Sequence, residues 1–255
     1  MTGRFDRLSL KNVAHEDKAV GAAVGAVLAG AVGLALFNPL GGGAAAETAA
    51  QAAAQNGQNG SVAASTANSS TAAKSTEAAA AEALKAGYKV PPRDVDPQEV
   101  IELAKKEVGT REGPNGQTKY HDWFVSTPHA KATAKRDGGF PVRAYNGAEW
   151  CNMFVSWLGA QTGVKNMGWD AYTVQHATWF KKTGRWGQKA KPGSVVFFDW
   201  GKSKRIGAID HVGIVVKDNG NGTVSTIEGN TENKVQKKVR DKSVIVGYGY
   251  PDYKS

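Results

Sequence analysis

Every tryptophan and every tyrosine of this 255-residue chain lies after Gly87. A packed core needs large apolar side chains, so that asymmetry confines the globular part to roughly the last two-thirds of the chain. Residues 1–87 carry six basic and six acidic side chains and balance to zero; residues 88–255 carry 26 and 17 and hold the whole net charge of +9. About 165 aromatic-rich residues suffice for one domain with a real core. The chain has a single cysteine, Cys151, so no internal disulfide staples that domain.

The remaining residues divide in two. Residues 19–37 contain eight Val, Leu or Phe, seven alanines and four glycines without a charge, behind Arg4, Arg7, Lys11 and Lys18. At 1.5 Å per residue this run rises about 28 Å, enough to cross a bilayer core. Ala44-Ala45-Ala46 before Glu47 suits a cleavage site, whereas the long mixed-charge segment ahead of the run suits a retained anchor. Both readings stay open, and either one exports the domain: anchored through 19–37 if uncleaved, secreted if cleaved. Residues 41–87 are mostly Ala, Gln, Asn, Ser, Thr and Gly with only Val62 and Leu84 as large apolar side chains. That composition cannot offset chain entropy, so a flexible tether is expected, with a short alanine-rich helix over 76–86. The organisation is therefore 1–40 flank and apolar helix, 41–95 disordered linker, and 96–255 globular domain.

Within the domain, Asp96-Pro97-Gln98-Glu99 opens a helix with a capping acid, proline at the first helical position and glutamate in capping-box position. Val100, Ile101, Ala104 and Val108 follow at helical spacing until Gly109. Residues 110–149, rich in Gly, Pro and aromatic residues, read as a long loop region. Helices follow over about 150–161, with Gly163 after it, and over 173–182, ending at Gly184. From Pro192 the apolar period changes to that of strands, expected at 195–198, 211–217, 224–228, 235–239 and 244–248, with Asp218-Asn219-Gly220-Asn221-Gly222 as a hairpin turn. Helices followed by an antiparallel meander indicate an α+β domain.

Three residues of this scaffold suit nucleophilic catalysis. Cys151 falls in the first turn of a helix, where partial positive charge and free N–H groups favour a thiolate and donate to an oxyanion. His211 begins a strand and can aim its ring past the sheet edge toward that helix end. Glu228 closes the strand that the hairpin sets beside it, within reach of the imidazole. Asn230, two residues on, is a further candidate to support the ring or the carboxylate.

Four blocks carry a resemblance. Trp150-Cys151-Asn152-Met153-Phe154-Val155-Ser156-Trp157, Lys191-Pro192-Gly193-Ser194-Val195-Val196-Phe197-Phe198-Asp199-Trp200, Asp210-His211-Val212-Gly213-Ile214-Val215 and Thr226-Ile227-Glu228-Gly229-Asn230-Thr231, in that order, resemble the CHAP family of cysteine, histidine-dependent amidohydrolases/peptidases. The resemblance spans roughly residues 96–253. It implies a papain-like α+β fold with N-terminal helices packed on an antiparallel sheet, and cleavage of an amide bond in peptidoglycan. The bond is either N-acetylmuramoyl-L-alanine or one within the peptide. It also implies Cys151 as nucleophile, His211 as base and Glu228 as orienting acid, with Asn230 in support.

No cofactor is expected. Some phage members bind calcium through aspartates shortly before the cysteine, but residues 142–148 here contain no acid and Glu149 alone is not a site. His15, His121, His129 and His176 show no metal spacing and read as ordinary surface or core residues. The basic surplus suits anionic wall polymers, and the absence of a recognition helix, zinc spacing or aromatic RNA motif argues against nucleic acid. A monomer is expected. The competing functions are a cysteine peptidase or amidase on a non-wall substrate and a catalytically silent, membrane-tethered wall-binding protein.

Overall fold

The computed structural model describes residues 63–254. The apolar run at 19–37 and the linker ahead of residue 63 lie outside them. Among the described residues no helix is long and apolar enough to cross a membrane.

The first described element, α1 (Ala63–Ala86), begins well ahead of the helix expected at 76–86. Alanine is the best helix former, and no glycine or proline interrupts the chain between Gly60 and Gly87, so nothing in the sequence stops the helix earlier. Residues 78–254 belong to one compact unit. The chain joins that unit before Asp96. Tyr88 packs its ring on Trp169 at 4.4 Å between centroids, the Lys89 and Arg93 amides donate to the carbonyls of Ala160 and Gly163, and Val95 is fully buried. Residues 88–95, expected as linker, thus run along the domain.

α2 (Pro97–Glu107) starts with the capping box seen in the sequence: the Asp96 side chain accepts from the Gln98 amide at 2.8 Å, and Glu99 accepts from the Asp96 amide at 3.1 Å. Its buried stripe is Val100, Ile101 and Ala104. The region expected as a long loop contains two further helices, α3 (Lys119–Ser126) and α4 (Pro128–Arg136). Thr118 and Thr127 cap them, and Pro128 occupies the first helical position of α4. Tyr120 and Phe124 from α3, and Ala130 and Ala134 from α4, are buried in the main core. α5 (Cys151–Thr162) and α6 (Thr173–Lys182) lie where the sequence puts them.

The sheet has six antiparallel strands: β1 (Trp186–Gly187), β2 (Val195–Phe198), β3 (His211–Asp218), β4 (Thr223–Thr231), β5 (Lys234–Asp241) and β6 (Ile245–Gly249). Their spatial order is β1-β6-β2-β3-β4-β5. β2 to β5 form the expected meander, whereas β6 returns to pair with β2 and carries the short β1 on its outer side. Alternate residues divide between two faces. Val195, Phe197, Val212, Ile214 and Ile227 join the helices in the main core, while Val196, Phe198, Val215, Val224 and Tyr248 form a second cluster.

Two glycines let the layers close around the start of α5. A Cβ on Gly229 of β4 would stand 2.7 Å from the Phe154 Cβ and 2.9 Å from the Trp150 ring, so its absence brings α5 against the strand. A Cβ on Gly213 of β3 would meet the Glu228 Cγ at 2.6 Å, so its absence lets that side chain lie across β3.

Candidate active site

Cys151 is the first residue of α5 and is 6 % exposed. Trp150 precedes it as N-cap with no side-chain cap, so no side chain competes for the N–H groups of the first turn. Trp150 is itself fixed, its indole N–H donating to Glu112 at 2.7 Å and its ring stacking on Tyr120 at 5.2 Å. Behind the cysteine, Asn152 donates to the Asp170 carbonyl at 2.9 Å and Ser156 donates to the same oxygen at 3.1 Å. These buried bonds anchor the first two turns of the helix against the Asp170 loop.

His211 is the first residue of β3, opposite Phe198 in register. By strand parity its side chain shares the second-cluster face, whereas Cys151 belongs to the helix layer. The two meet at the end of the sheet, where the thiol is close enough to raise the proton affinity of the imidazole. The Nε2 atom lies 3.1 Å from Glu228 Oε2, which leaves Nδ1 as the ring nitrogen for the sulfur. Burial would push the imidazole below its ordinary 6.5, but Cys151 and Glu228 beside it raise it above that value. Phe198 and Trp200 stack beside the ring at 5.9 and 5.8 Å between centroids and hold its plane.

Glu228 is completely buried. Burial would raise its carboxyl, but hydrogen bonds from His211 and Arg240 hold it well below the ordinary carboxylate range. Arg240 contacts both carboxylate oxygens, its Nε 3.0 Å from Oε1 and its Nη2 2.7 Å from Oε2. The Thr226 hydroxyl donates to Oε1 at 2.5 Å, and the Thr231 hydroxyl lies 3.4 Å from Oε2. The carboxylate is thus an ionised acceptor with its oxygens fully occupied.

The structure brings Cys151, His211 and Glu228 together and sends Asn230 elsewhere. The register shifts between Glu228 and Thr231, and Asn230 takes φ 57°, so its side chain donates to Glu149 instead of supporting the imidazole. The Glu149 carboxyl is pushed up by its protein surroundings first and by the charge of Glu112 second. Arg240, Trp200, Thr226 and Thr231 are the residues that sequence reasoning did not place in the site. Trp200, Thr226 and Thr231 stand in the quoted blocks, whereas Arg240 lies outside them, one more cation in a basic strand.

The remaining histidines of the described part do other work. His121 closes the capping box of α3, His129 hydrogen-bonds the Trp169 carbonyl, and His176 is buried between Asn152 and the Met167 carbonyl. Burial pushes His176 down to about 4, so it stays uncharged. His15 lies outside the described residues. Among the described residues no group of three or more His, Cys, Asp or Glu side chains is placed to hold a metal ion.

The set can generate a nucleophile, shuttle one proton and stabilise an oxyanion. Glu228→Gln probes the orienting part of it. The amide keeps the shape but loses the charge, so turnover should fall by about a hundredfold, less than on losing the thiol or the imidazole. It also removes the buried carboxylate charge that Arg240 contacts at two points, at a cost of about 3–5 kcal/mol in stability. Steady-state kinetics with a parallel melt read both effects, and unchanged kinetics in the folded variant would remove Glu228 from the set.

The CHAP domain family profile matches residues 143–230. That segment is about a third of the chain, running from ahead of α5 to the end of β4, and it contains Cys151, His211 and Glu228. A CHAP domain implies hydrolysis as an amidase or peptidase, in general of peptidoglycan. No curated protein and no solved structure matches the chain.

Proposed function

We propose that this CHAP-domain chain is a cysteine-dependent amidase or endopeptidase that cleaves an amide bond of peptidoglycan. One observation carries the reading. The only thiol of the chain stands at an uncapped helix start, beside an imidazole that it influences electrostatically and whose Nε2 is 3.1 Å from a buried carboxylate.

The reaction follows from that geometry. His211 takes the Cys151 proton, and the sulfur attacks the amide carbonyl carbon. The negative oxygen of the tetrahedral intermediate faces the N–H groups of the first α5 turn, fixed donors that a helix start supplies without reorganisation. The imidazolium returns its proton to the leaving nitrogen as the C–N bond breaks, leaving a thioester. Water then attacks the thioester with His211 as base, the carboxylate product leaves, and the proton ends on the sulfur. Glu228 keeps Nε2 protonated and the ring in plane throughout, and accepts no proton itself.

The test uses purified cell walls with casein as comparison substrate. The protein should clear a wall suspension and release fragments with new amine and carboxylate ends, identifiable by mass spectrometry, while leaving casein intact. Cleavage of casein with no effect on walls would transfer the same chemistry to a non-wall amide. No cleavage of either, with an inert thiol, would leave a silent binding module.

A further inference from the structure

Arg240 is part of neither the quoted motifs nor the matched segment, which ends at residue 230. It lies on β5, and its side chain is 11 % exposed. The β4–β5 register pairs Val224 with Arg240, Thr226 with Lys238 and Glu228 with Gln236, so 224, 226 and 228 share a face with 236, 238 and 240. Arg240 is therefore two steps along the ladder from Glu228 and reaches back past Thr226 to clamp both carboxylate oxygens. Its guanidinium in turn lies 4.8 Å from the Trp200 ring centroid and 5.9 Å from that of Phe198, the two rings that flank His211. One cation thus touches the acid and the aromatic wall of the base together.

We propose that Arg240 is a positioning residue of the Cys151–His211–Glu228 set, fixing the plane and charge of Glu228 and thereby setting the pH window in which the thiol is reactive. The proposal rests on the cysteine–histidine reading given above. Three physical arguments support it. A planar, always-charged fork suits a carboxylate in two-point contact, which a lysine cannot reproduce. A fully buried carboxylate facing only an imidazole would lose its charge whenever the imidazole lost its proton; a permanent cation prevents that. The same cation opposes the imidazolium, so it restrains the proton affinity that Glu228 alone would confer on His211.

The charged groups around the imidazole are Cys151 from α5, Glu149 ahead of it, Glu228 from β4, and Arg240 from β5 with Lys238 beside it on the same face. Asp210 precedes the imidazole and accepts from the Trp200 amide at 2.8 Å. Removing one positive charge from this group raises the proton affinity of every titrating member. Both limbs of the reactivity profile must then move to higher pH, by about one unit for a charge at this range in a partly buried site.

The measurement is the pH dependence of Cys151 alkylation by iodoacetate, which needs no substrate: the rate rises as the thiolate forms and falls as His211 loses the positive charge that attracts the reagent's carboxylate. Arg240→Met should move both limbs up by about one unit, while Arg240→Lys should leave them at their wild-type positions and lower turnover only. Unmoved limbs in folded Arg240→Met, or an equal shift in Arg240→Lys, would overturn the proposal. If Arg240→Met does not fold, the pair of variants Glu228→Gln and Glu228→Gln/Arg240→Met replaces it, because the double variant leaves no buried carboxylate charge facing a lost cation. Adding Arg240→Met must still raise both limbs, and identical profiles overturn the proposal. A wild-type profile like that of a free thiol removes the pairing and the proposal with it. Shifted limbs in a protein that does not lyse walls keep Arg240 in its role and refute only the wall substrate.

Discussion

Cys151→Ala is expected to abolish wall lysis while leaving the fold in place. Sulfur is the only nucleophile at the start of α5, and no second cysteine exists to substitute for it. The loss should reach at least about 10⁴-fold in kcat/KM, since what remains is substrate binding and the oxyanion donors alone. Serine should behave almost as alanine, because a hydroxyl in a site built for an imidazolium–thiolate pair is a much weaker nucleophile. Folding should survive: the helix is anchored by Asn152 and Ser156 on the Asp170 carbonyl and by Phe154 and Leu158 in the core, interactions that do not use the Cys151 sulfur. Iodoacetamide should inactivate the wild type with a single alkyl group per chain, countable by mass. Residual lysis by Cys151→Ala above a protein-free control would sink the cysteine mechanism.

The parts of this fold that were legible in the sequence are those set by local chemistry. Asp96 and Glu99 announce α2 because a capping box satisfies two backbone N–H groups with adjacent residues. The hairpin at 218–222 ties β3 to β4, so the neighbourhood of His211 and Glu228 follows from a turn and a period of two. α3 and α4 were hidden by their surroundings. Each has only about two turns inside a stretch rich in Gly, Pro and aromatic residues, and their stability comes from burying Tyr120, Phe124, Ala130 and Ala134 against distant elements. The return of β6 to β2 was equally hidden, because Ile245, Val246 and Tyr248 are buried on both faces and an apolar run does not name its neighbour.

The site divides along the same line. Cys151 and His211 are placed by where a helix and a strand begin, and Glu228, inside β4, by the hairpin that pairs β4 with β3, which pattern reveals. Asn230 lies apart from the imidazole because two residues along a strand normally share a face, and here a register shift and a left-handed backbone break that rule. Arg240 was invisible because its partner depends on the β4–β5 register and on a side chain reaching four residues along it, past Thr226. In a strand that reads Lys-Val-Gln-Lys-Lys-Val-Arg-Asp, nothing local separates this cation from those facing solvent.

His211→Ala should cost nearly as much activity as losing the sulfur, and its signature should be a change in pH behaviour. In the wild type the imidazole is raised above its ordinary value by Cys151 and Glu228 despite its burial. A base with a raised value holds its proton through neutral pH and loses it only as pH climbs through the shifted value. With the ring as acceptor of the thiol proton, alkylation of Cys151 should persist at pH 6. A free thiol with a pKa of about 8.5 would be only roughly 0.3 % thiolate there. The alkaline side should show the opposite limb: turnover falls as His211 loses the proton that it must give to the leaving nitrogen. In His211→Ala that alkaline limb should vanish, and alkylation at pH 6 should drop at least about tenfold toward the free-thiol curve. Phe198 and Trp200 close the space the ring leaves, so the variant should remain folded by circular dichroism. An alkylation profile identical to that of the wild type would separate Cys151 from His211 and leave the thiol without its base.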